Sequence, residues 1–99
     1  MIEIRQTSIF DRWLRTLRDQ RAKARIAARV QRASFGNVGD ARPVGGGISE
    51  MRIDYGPGYR VYYAPRGGDL IVLLCGGDKR SQVNDIQRAK SILRELKET

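Results

Sequence analysis

The chain has 99 residues, 40% of them hydrophobic and 30% charged, with 19 lysines and arginines against 11 acidic residues. This length excludes a second domain but allows roughly 65% of the unfolded surface to be buried around one core. We therefore expect a single domain over residues 1–99. The sequence shows no signal-peptide pattern and no apolar run near the ~20 residues that span a bilayer, which favours a cytoplasmic protein without membrane contact.

The net charge of +8 is unevenly distributed. Residues 1–35 hold nine basic and three acidic side chains, an excess of six, whereas residues 36–79 hold five of each. This distribution favours a polyanionic partner, such as RNA, DNA or an acidic protein, over a small anion. The chain has no histidine and a single cysteine, Cys75, within an apolar run. We therefore expect no disulfide, no metal site and no cofactor.

The N-terminal third predicts one strand and two helices. Alternation of apolar and polar residues predicts a strand over Met1 to Arg5. Apolar residues at helical spacing from Ile9 onward, after Ser8 as N-cap, predict a first amphipathic helix. A second helix is predicted over residues 21–34 and forms an antiparallel hairpin with the first. One face of it carries a stripe of arginines that either follows a nucleic-acid backbone or is simply solvated: Arg21, Arg25, Arg29 and Arg32.

The remainder predicts three strands and a last helix. Residues 36–47 are rich in glycine and contain Pro43, which predicts a loop. Strands are predicted over residues 48–55 and 59–64, joined by a tight turn at Gly56-Pro57-Gly58, and over the wholly apolar residues 70–75, a central strand covered on both sides. A helix capped by Ser81 follows, with an inner stripe of Ile86, Ala89, Leu93 and Leu96. The order β-α-α-β-β-β-α defines an α+β domain with an antiparallel-dominated sheet.

Four residues of the second half are the candidates for chemistry. Because side chains alternate along a strand, a helical hairpin on one face of the sheet leaves Arg52, Arg60 and Tyr62 together on the other. Lys79 comes just after the central strand and would lean into the same groove. The alternative is that the two arginines only form ion pairs on a solvated face, with Glu50 and Asp54.

Cleavage of an RNA phosphodiester requires proton transfers and stabilisation of extra charge on the phosphate. Without histidine, other residues must do this. Arg60 is the predicted stabilising group, because a rigid guanidinium can hold two phosphate oxygens. Lys79 is the predicted acid or base, since nearby positive charge favours the neutral amine, and Tyr62 is the alternative.

Segments along nearly the whole chain match one known family. They are Gly36-Asn37 with Gly39-Asp40, Arg42-Pro43-Val44-Gly45, residues 49–63 (SEMRIDYGPGYRVYY), residues 73–79 (LLCGGDK), and Asp85-Ile86 with Ala89. On these segments the sequence resembles the RelE/ParE toxin superfamily, specifically its HigB-like branch of addiction module killer proteins.

The resemblance implies a RelE-like fold and a toxin that cuts mRNA, in many relatives within the ribosome, by metal-free 2′-hydroxyl attack that leaves a cyclic phosphate. It also implies a cognate helix-turn-helix antitoxin, and contact with operator DNA only through the complex. Arg60 matches the superfamily arginine assigned to phosphate stabilisation, and Arg52 matches the basic position of the preceding strand. Lys79 and Arg80 match a basic pair that follows the last strand, with Arg80 expected to contact RNA or the ribosome.

One departure from the family leaves other functions open. Some ribosome-dependent relatives carry a catalytic tyrosine or histidine near the C-terminus, and residues 81–99 contain neither. The alternatives are a ParE-like poison of DNA gyrase and a catalytically weak module that binds the antitoxin and tunes operon repression.

Overall fold

In the computed structural model, which describes residues 1–98, five strands form one sheet and three α-helices pack on it. The strands are β1 (Glu3–Gln6), β2 (Ala41–Gly45), β3 (Ile48–Ile53), β4 (Tyr59–Arg66) and β5 (Leu70–Gly77), and the helices are α1 (Ser8–Thr16), α2 (Gln20–Ser34) and α3 (Gln82–Glu98). The sheet order is β1-β5-β4-β3-β2, with β1 parallel to β5 and the other pairs antiparallel. The predicted α+β fold is therefore confirmed. Within the described residues, no helix is both long and apolar enough to cross a membrane.

The predicted helical hairpin is present, and its helices begin at side-chain caps. The Thr7 hydroxyl accepts a hydrogen bond from the Phe10 N–H at 3.0 Å, so α1 is capped by the residue before the predicted Ser8. The Asp19 carboxylate accepts from the backbone N–H groups of Arg21 and Ala22 and starts α2. Such caps satisfy donors that have no partner inside the first helical turn.

The prediction of a continuous loop over residues 36–47 is wrong. Ala41–Gly45 forms the edge strand β2, paired with β3 and with an irregularity between Pro43 and Gly45. An edge strand tolerates proline because one side of it needs no backbone donor. The turn into β3 runs through Gly45, Gly46 and Gly47 with φ values of 95°, 66° and 79°, which glycine adopts readily. The observed order is therefore β-α-α-β-β-β-β-α.

The start of the last helix also differs from the prediction. Asp78, not Ser81, is the N-cap, and a 3₁₀ turn at Lys79–Ser81 precedes α3. Ser81 instead takes part in a capping box with Asp78. Along α3, Ala89 and Leu93 are buried as predicted, whereas Leu96 is 42% exposed and lines a surface cavity.

The two faces of the sheet are covered by different helices. On the face of α1 and α2 the core contains Phe10, Ile26, Met51, Val61, Tyr63 and Leu73. On the face of α3 it contains Ile48, Tyr62, Ala64, Leu74, Cys75, Ala89 and Leu93. β5 contributes to both clusters, which confirms that this strand is covered on both sides; it lies inside the sheet between β1 and β4, and β4 is the middle strand. Cys75 is buried, and burial raises the pKa of its thiol to about 12.

Candidate active site

The predicted basic groove lies where β3 ends, β4 begins and β5 runs into the 3₁₀ turn. Arg52 and Arg60 are directly opposed across β3 and β4, and Arg60 pairs with Gly77 of β5 on its other side. Both arginines and Lys79 line one cavity of about 350 Å³. The structure therefore brings together three of the four residues that were predicted to carry chemistry.

Lys79 lies at the groove because its 3₁₀ turn packs closely against the turn between β3 and β4. Its backbone N–H donates to the Pro57 carbonyl at 3.4 Å. Gly58, in the same turn as Pro57, has a φ of 79°, and a Cβ there would lie 3.4 Å from the Cβ of Lys79. Within the described residues, the Lys79 ammonium has no hydrogen bond or ion pair. It is therefore available to a ligand in the groove.

Arg60 is the most enclosed cation of the groove. Its side chain is 11% exposed, and one terminal nitrogen donates to Glu50 Oε1 at 3.1 Å. Its other terminal nitrogen has no partner among residues 1–98, and its Nε is buried and also unpaired there. A guanidinium paired with a buried carboxylate has little freedom left, and its other terminal nitrogen remains a donor for an anion. This geometry suits the predicted role in phosphate stabilisation.

Glu50 holds Arg60 and is itself completely buried. Its carboxylate accepts hydrogen bonds from Arg42 at 3.3 Å, Arg60 at 3.1 Å, Tyr62 at 3.1 Å and Gln82 at 2.7 Å. Burial raises its pKa, but the Gln82 hydrogen bond and the charge of Arg60 outweigh this effect, so the pKa of Glu50 lies below its ordinary value. The alternative prediction, that the arginines form ion pairs with nearby carboxylates, therefore holds for Arg60 and Glu50. The pair belongs to a buried network, however, and does not lie on a solvated face.

Tyr62 does not emerge in the groove as predicted. It lies on the expected face of β4, but α3 covers that face and leaves Tyr62 completely buried. Its hydroxyl donates to Glu50 Oε2, and burial and the charge of Glu50 raise its pKa far above the ordinary value. Tyr62 is therefore placed to orient Glu50, and proton transfer by Tyr62 has no geometric support.

Arg52 is held at the groove's rim by a different carboxylate. Its guanidinium donates two hydrogen bonds to Asp40 Oδ1, at 2.7 and 3.2 Å. This contact raises the pKa of Arg52 and lowers that of Asp40. Asp54, which was considered only as a partner for the arginines, lines the cavity without a side-chain partner among the described residues. Its position on the face of Arg52 was predictable from strand alternation.

Part of the arginine stripe on α2 borders the groove. Arg25 and Arg32 are exposed and line a cavity of about 300 Å³ that shares Ile53 and Asp54 with the groove. The guanidinium of Arg25 also lies 4.6 Å from the ring centroid of Tyr55. These cations continue the positive surface away from Arg52 and Arg60. Two other predicted contacts, Arg21 and Arg80, are exposed but do not line the groove.

Arg29 departs from the predicted exposed stripe. Its guanidinium turns inward and donates to the carbonyls of Arg52 at 2.5 Å, Val38 at 3.0 Å and Asp40 at 3.2 Å. Desolvation lowers its pKa. Arg29 therefore ties α2 to β3 and to the segment before β2, which fixes the groove's wall and removes these donors from any contact with RNA.

The fold and the groove define a small basic α+β domain with opposed arginines and a lysine at one end of its sheet. Residues 12–97 match the family described as Phage derived protein Gp49-like (DUF891), and the chain belongs to this family. This is a RelE/HigB-like toxin-type family, associated with the toxins of toxin–antitoxin pairs. An uncharacterized protein of Haemophilus influenzae (strain ATCC 51907 / DSM 11121 / KW20 / Rd) is 53% identical over 95 residues, which cover 96% of each chain.

Proposed function

We propose that this chain is the toxin of a type II toxin–antitoxin system and acts in the cytoplasm as a ribosome-dependent mRNA endoribonuclease that blocks translation. The observation that carries the proposal is the convergence of Arg52, Arg60 and Lys79 on one cavity of about 350 Å³, with Arg60 fixed by the buried Glu50. Three cations around one cavity favour a phosphate ligand. The net charge of +8 and the toxin-type family support an RNA substrate.

The proposed reaction is an attack of the 2′-oxygen on the adjacent phosphorus. The bond between phosphorus and the 5′-oxygen breaks, which leaves a cyclic phosphate and a 5′-hydroxyl. Arg60 stabilises the extra negative charge on the phosphate, and Arg52 binds a phosphate oxygen at the rim. Asp54 accepts the proton of the 2′-hydroxyl, and Lys79 donates a proton to the leaving 5′-oxygen.

The surroundings of the groove supply binding surface for the substrate. Arg25 and Arg32 line the adjoining cavity. Arg21, on the same helix, and Arg80, in the 3₁₀ turn next to Lys79, are also exposed. We assign these four to the RNA backbone or to the ribosome, since exposed cations bind phosphates without regard to sequence. The proposal includes neutralisation by a cognate helix-turn-helix antitoxin, whose complex with the toxin binds operator DNA.

The proposal is tested by mapping mRNA 5′ ends shortly after controlled expression of the wild type and of Arg60→Ala. The same mRNA is incubated with purified toxin, with and without ribosomes. We expect new ends in phase with codons that require ribosomes and disappear in Arg60→Ala. Removing one charge-stabilising donor lowers catalysis by about 10²- to 10³-fold, and Lys79→Ala, which removes a proton donor, by about 10²- to 10⁴-fold.

Arg18→Ala is the matched control, since Arg18 is exposed and lines none of the cavities described. Circular dichroism and antitoxin binding verify that each variant folds. Intact mRNA during growth arrest would contradict the proposal and point to DNA gyrase. If expression without antitoxin does not arrest growth, the chain is instead a module that binds antitoxin.

A further inference from the structure

A further cavity, of about 380 Å³, lies between α1 and α3. Two arginines and the chain's single tryptophan line it together: Arg12 and Trp13 from α1, and Arg88 from α3. Within residues 1–98, neither guanidinium makes a hydrogen bond or an ion pair. Arg15, one turn along α1, is in contrast paired with Asp11 at 2.9 Å. The cleft therefore concentrates positive charge that the protein itself leaves uncompensated.

Trp13 is held rigidly at the wall of this cleft. Its ring packs on the backbone of Gly76 so closely that a Cβ there would clash with it. Its centroid lies 5.8 Å from that of Phe10 and 6.3 Å from that of Tyr59. The indole N–H has no partner among the described residues, and the side chain is only partly buried. A fixed, partly exposed aromatic ring beside cations is the arrangement that proteins use to bind single-stranded nucleic acid.

The cleft adjoins the catalytic groove through Tyr59. This residue precedes Arg60, lines the groove and meets Trp13 edge to face, with the two ring planes 65° apart. An RNA strand that leaves the groove along this aromatic edge arrives at the cleft. An acidic peptide would bind the two guanidinium groups but would not need the Trp13 ring. The combination of two guanidinium groups with an aromatic ring therefore favours a nucleotide.

We propose that the α1–α3 cleft is a subsite for a nucleotide that flanks the cleaved bond, with the base against Trp13 and a phosphate between Arg12 and Arg88. This inference rests on the proposed function, because it assumes that single-stranded RNA occupies the groove. It adds a site outside the groove and a chemical class of ligand for it.

The single tryptophan makes the subsite directly measurable. A 2′-O-methyl RNA hexamer, which cannot undergo 2′-oxygen attack, is titrated into the wild-type protein while Trp13 fluorescence and the anisotropy of the labelled RNA are recorded. We expect the hexamer to quench Trp13 and a hexamer without bases to bind without quenching. Arg12→Ala/Arg88→Ala should weaken binding about tenfold or more and reduce the salt dependence by roughly one phosphate contact.

The control is Arg18→Ala/Arg94→Ala, which removes the same charge from exposed positions outside the cleft and should change affinity by less than about twofold. Trp13→Phe, which keeps an aromatic ring on Gly76, should weaken binding while the circular dichroism spectrum is retained.

Three results would overturn the subsite. The first is RNA binding without quenching and with equal affinities for the cleft variant and its control. The second is quenching by polyglutamate but not by RNA, which makes the cleft a protein contact. The third is no binding of free RNA at all. The proposed function is judged separately, by the mapping of mRNA ends with ribosomes, so either can fail alone.

Discussion

The two faces of the sheet differ in what they bury. The face under α1 and α2 is an apolar core, with Phe10, Met51 and Leu73 among its fully enclosed side chains. The face under α3 encloses apolar residues too, but also the charged Glu50 and the nearly buried Asp85. Buried apolar groups stabilise a fold without fixing polar groups, whereas a buried charge must be paired and therefore fixes its partners. The first face holds the domain together, and the second positions Arg60.

The faces meet at two neighbouring glycines near the end of β5. A Cβ on Gly76 would clash with Trp13 on the hairpin side, and one on Gly77 would clash with Asp85 on the α3 side. Asp85 is also bound by the Ser81 hydroxyl at 2.5 Å. The backbone is thus closely packed from both sides just before Lys79, which sets where the groove begins.

The strongest test of the different roles of the two faces is to create a cavity in the apolar face under α1 and α2. Leu73→Ala removes a fully buried side chain and should lower the free energy of unfolding by about 2–5 kcal/mol. Because Leu73 does not itself line the groove, RNA cleavage per folded molecule should not change. Urea denaturation and cleavage rates measure the two quantities. A large fall in cleavage by fully folded Leu73→Ala would show that the faces are not separate in function.

The converse test removes a charge from the α3 face. Glu50→Gln keeps the shape but leaves the buried guanidinium of Arg60 without its counter-charge, which should cost about 1–3 kcal/mol of stability. Cleavage per folded molecule should fall about tenfold, as Arg60 loses its fixed position.

Glu3→Gln is the control for Glu50→Gln, since Glu3 pairs with Arg5 at an exposed site. Equal cleavage by Glu50→Gln and the wild type would refute the positioning of Arg60 by Glu50.

Acid should lower the stability of the wild type and of Glu50→Gln to different extents. The folded-state pKa of Glu50 lies below its ordinary value of 4.5, so its stabilising contribution is present above that pH and is lost as the pH falls through the folded-state pKa. Denaturation curves measured from pH 6 to pH 3 should therefore show the wild type losing more stability than Glu50→Gln below about pH 4.5. The lowered pKa values of Asp19 and Asp40 act in both proteins and cancel. Parallel curves would mean that Glu50 is not the anion this network requires.

The smallest effect is expected at the groove's exposed rim. Asp40→Asn removes the charge that pairs with Arg52, but both side chains are about half exposed, and water and salt screen the pair. Stability should match that of the wild type within experimental error, and cleavage should change less than about threefold. A larger loss of cleavage would show that Asp40 orients Arg52 as firmly as Glu50 orients Arg60.

Much of the groove was predictable because strand alternation is strict. The positions of Arg52 and Arg60 on one face follow from the two-residue period of β3 and β4 and the turn between them. Lys79 follows from its place at the end of a strand that pairs with β4. The helical hairpin and the central strand were predictable because their apolar patterns are long and regular.

The sequence could not predict which of these polar side chains are buried. Tyr62 and Arg60 are both on one face of β4, and only the position of α3 decides that one is completely covered while the other reaches the groove. Arg29 has the helical spacing of an exposed stripe, but three carbonyl groups on other segments draw it inward. The edge strand β2 has the composition of a loop and gains its regularity from its pairing with β3.

The order in which the chain is made also bears on the groove. Glu3 pairs with Leu70, and Glu50 is held by Gln82, so the contacts that complete the sheet and fix Arg60 join distant parts of the sequence. A nascent chain that ends at residue 66 carries both arginines but lacks Lys79 and the whole of β5 and α3. Non-local pairings of this kind form late. The groove therefore assembles only after the residues of α3 have been synthesised, and a chain that stops before them lacks the groove's complete framework.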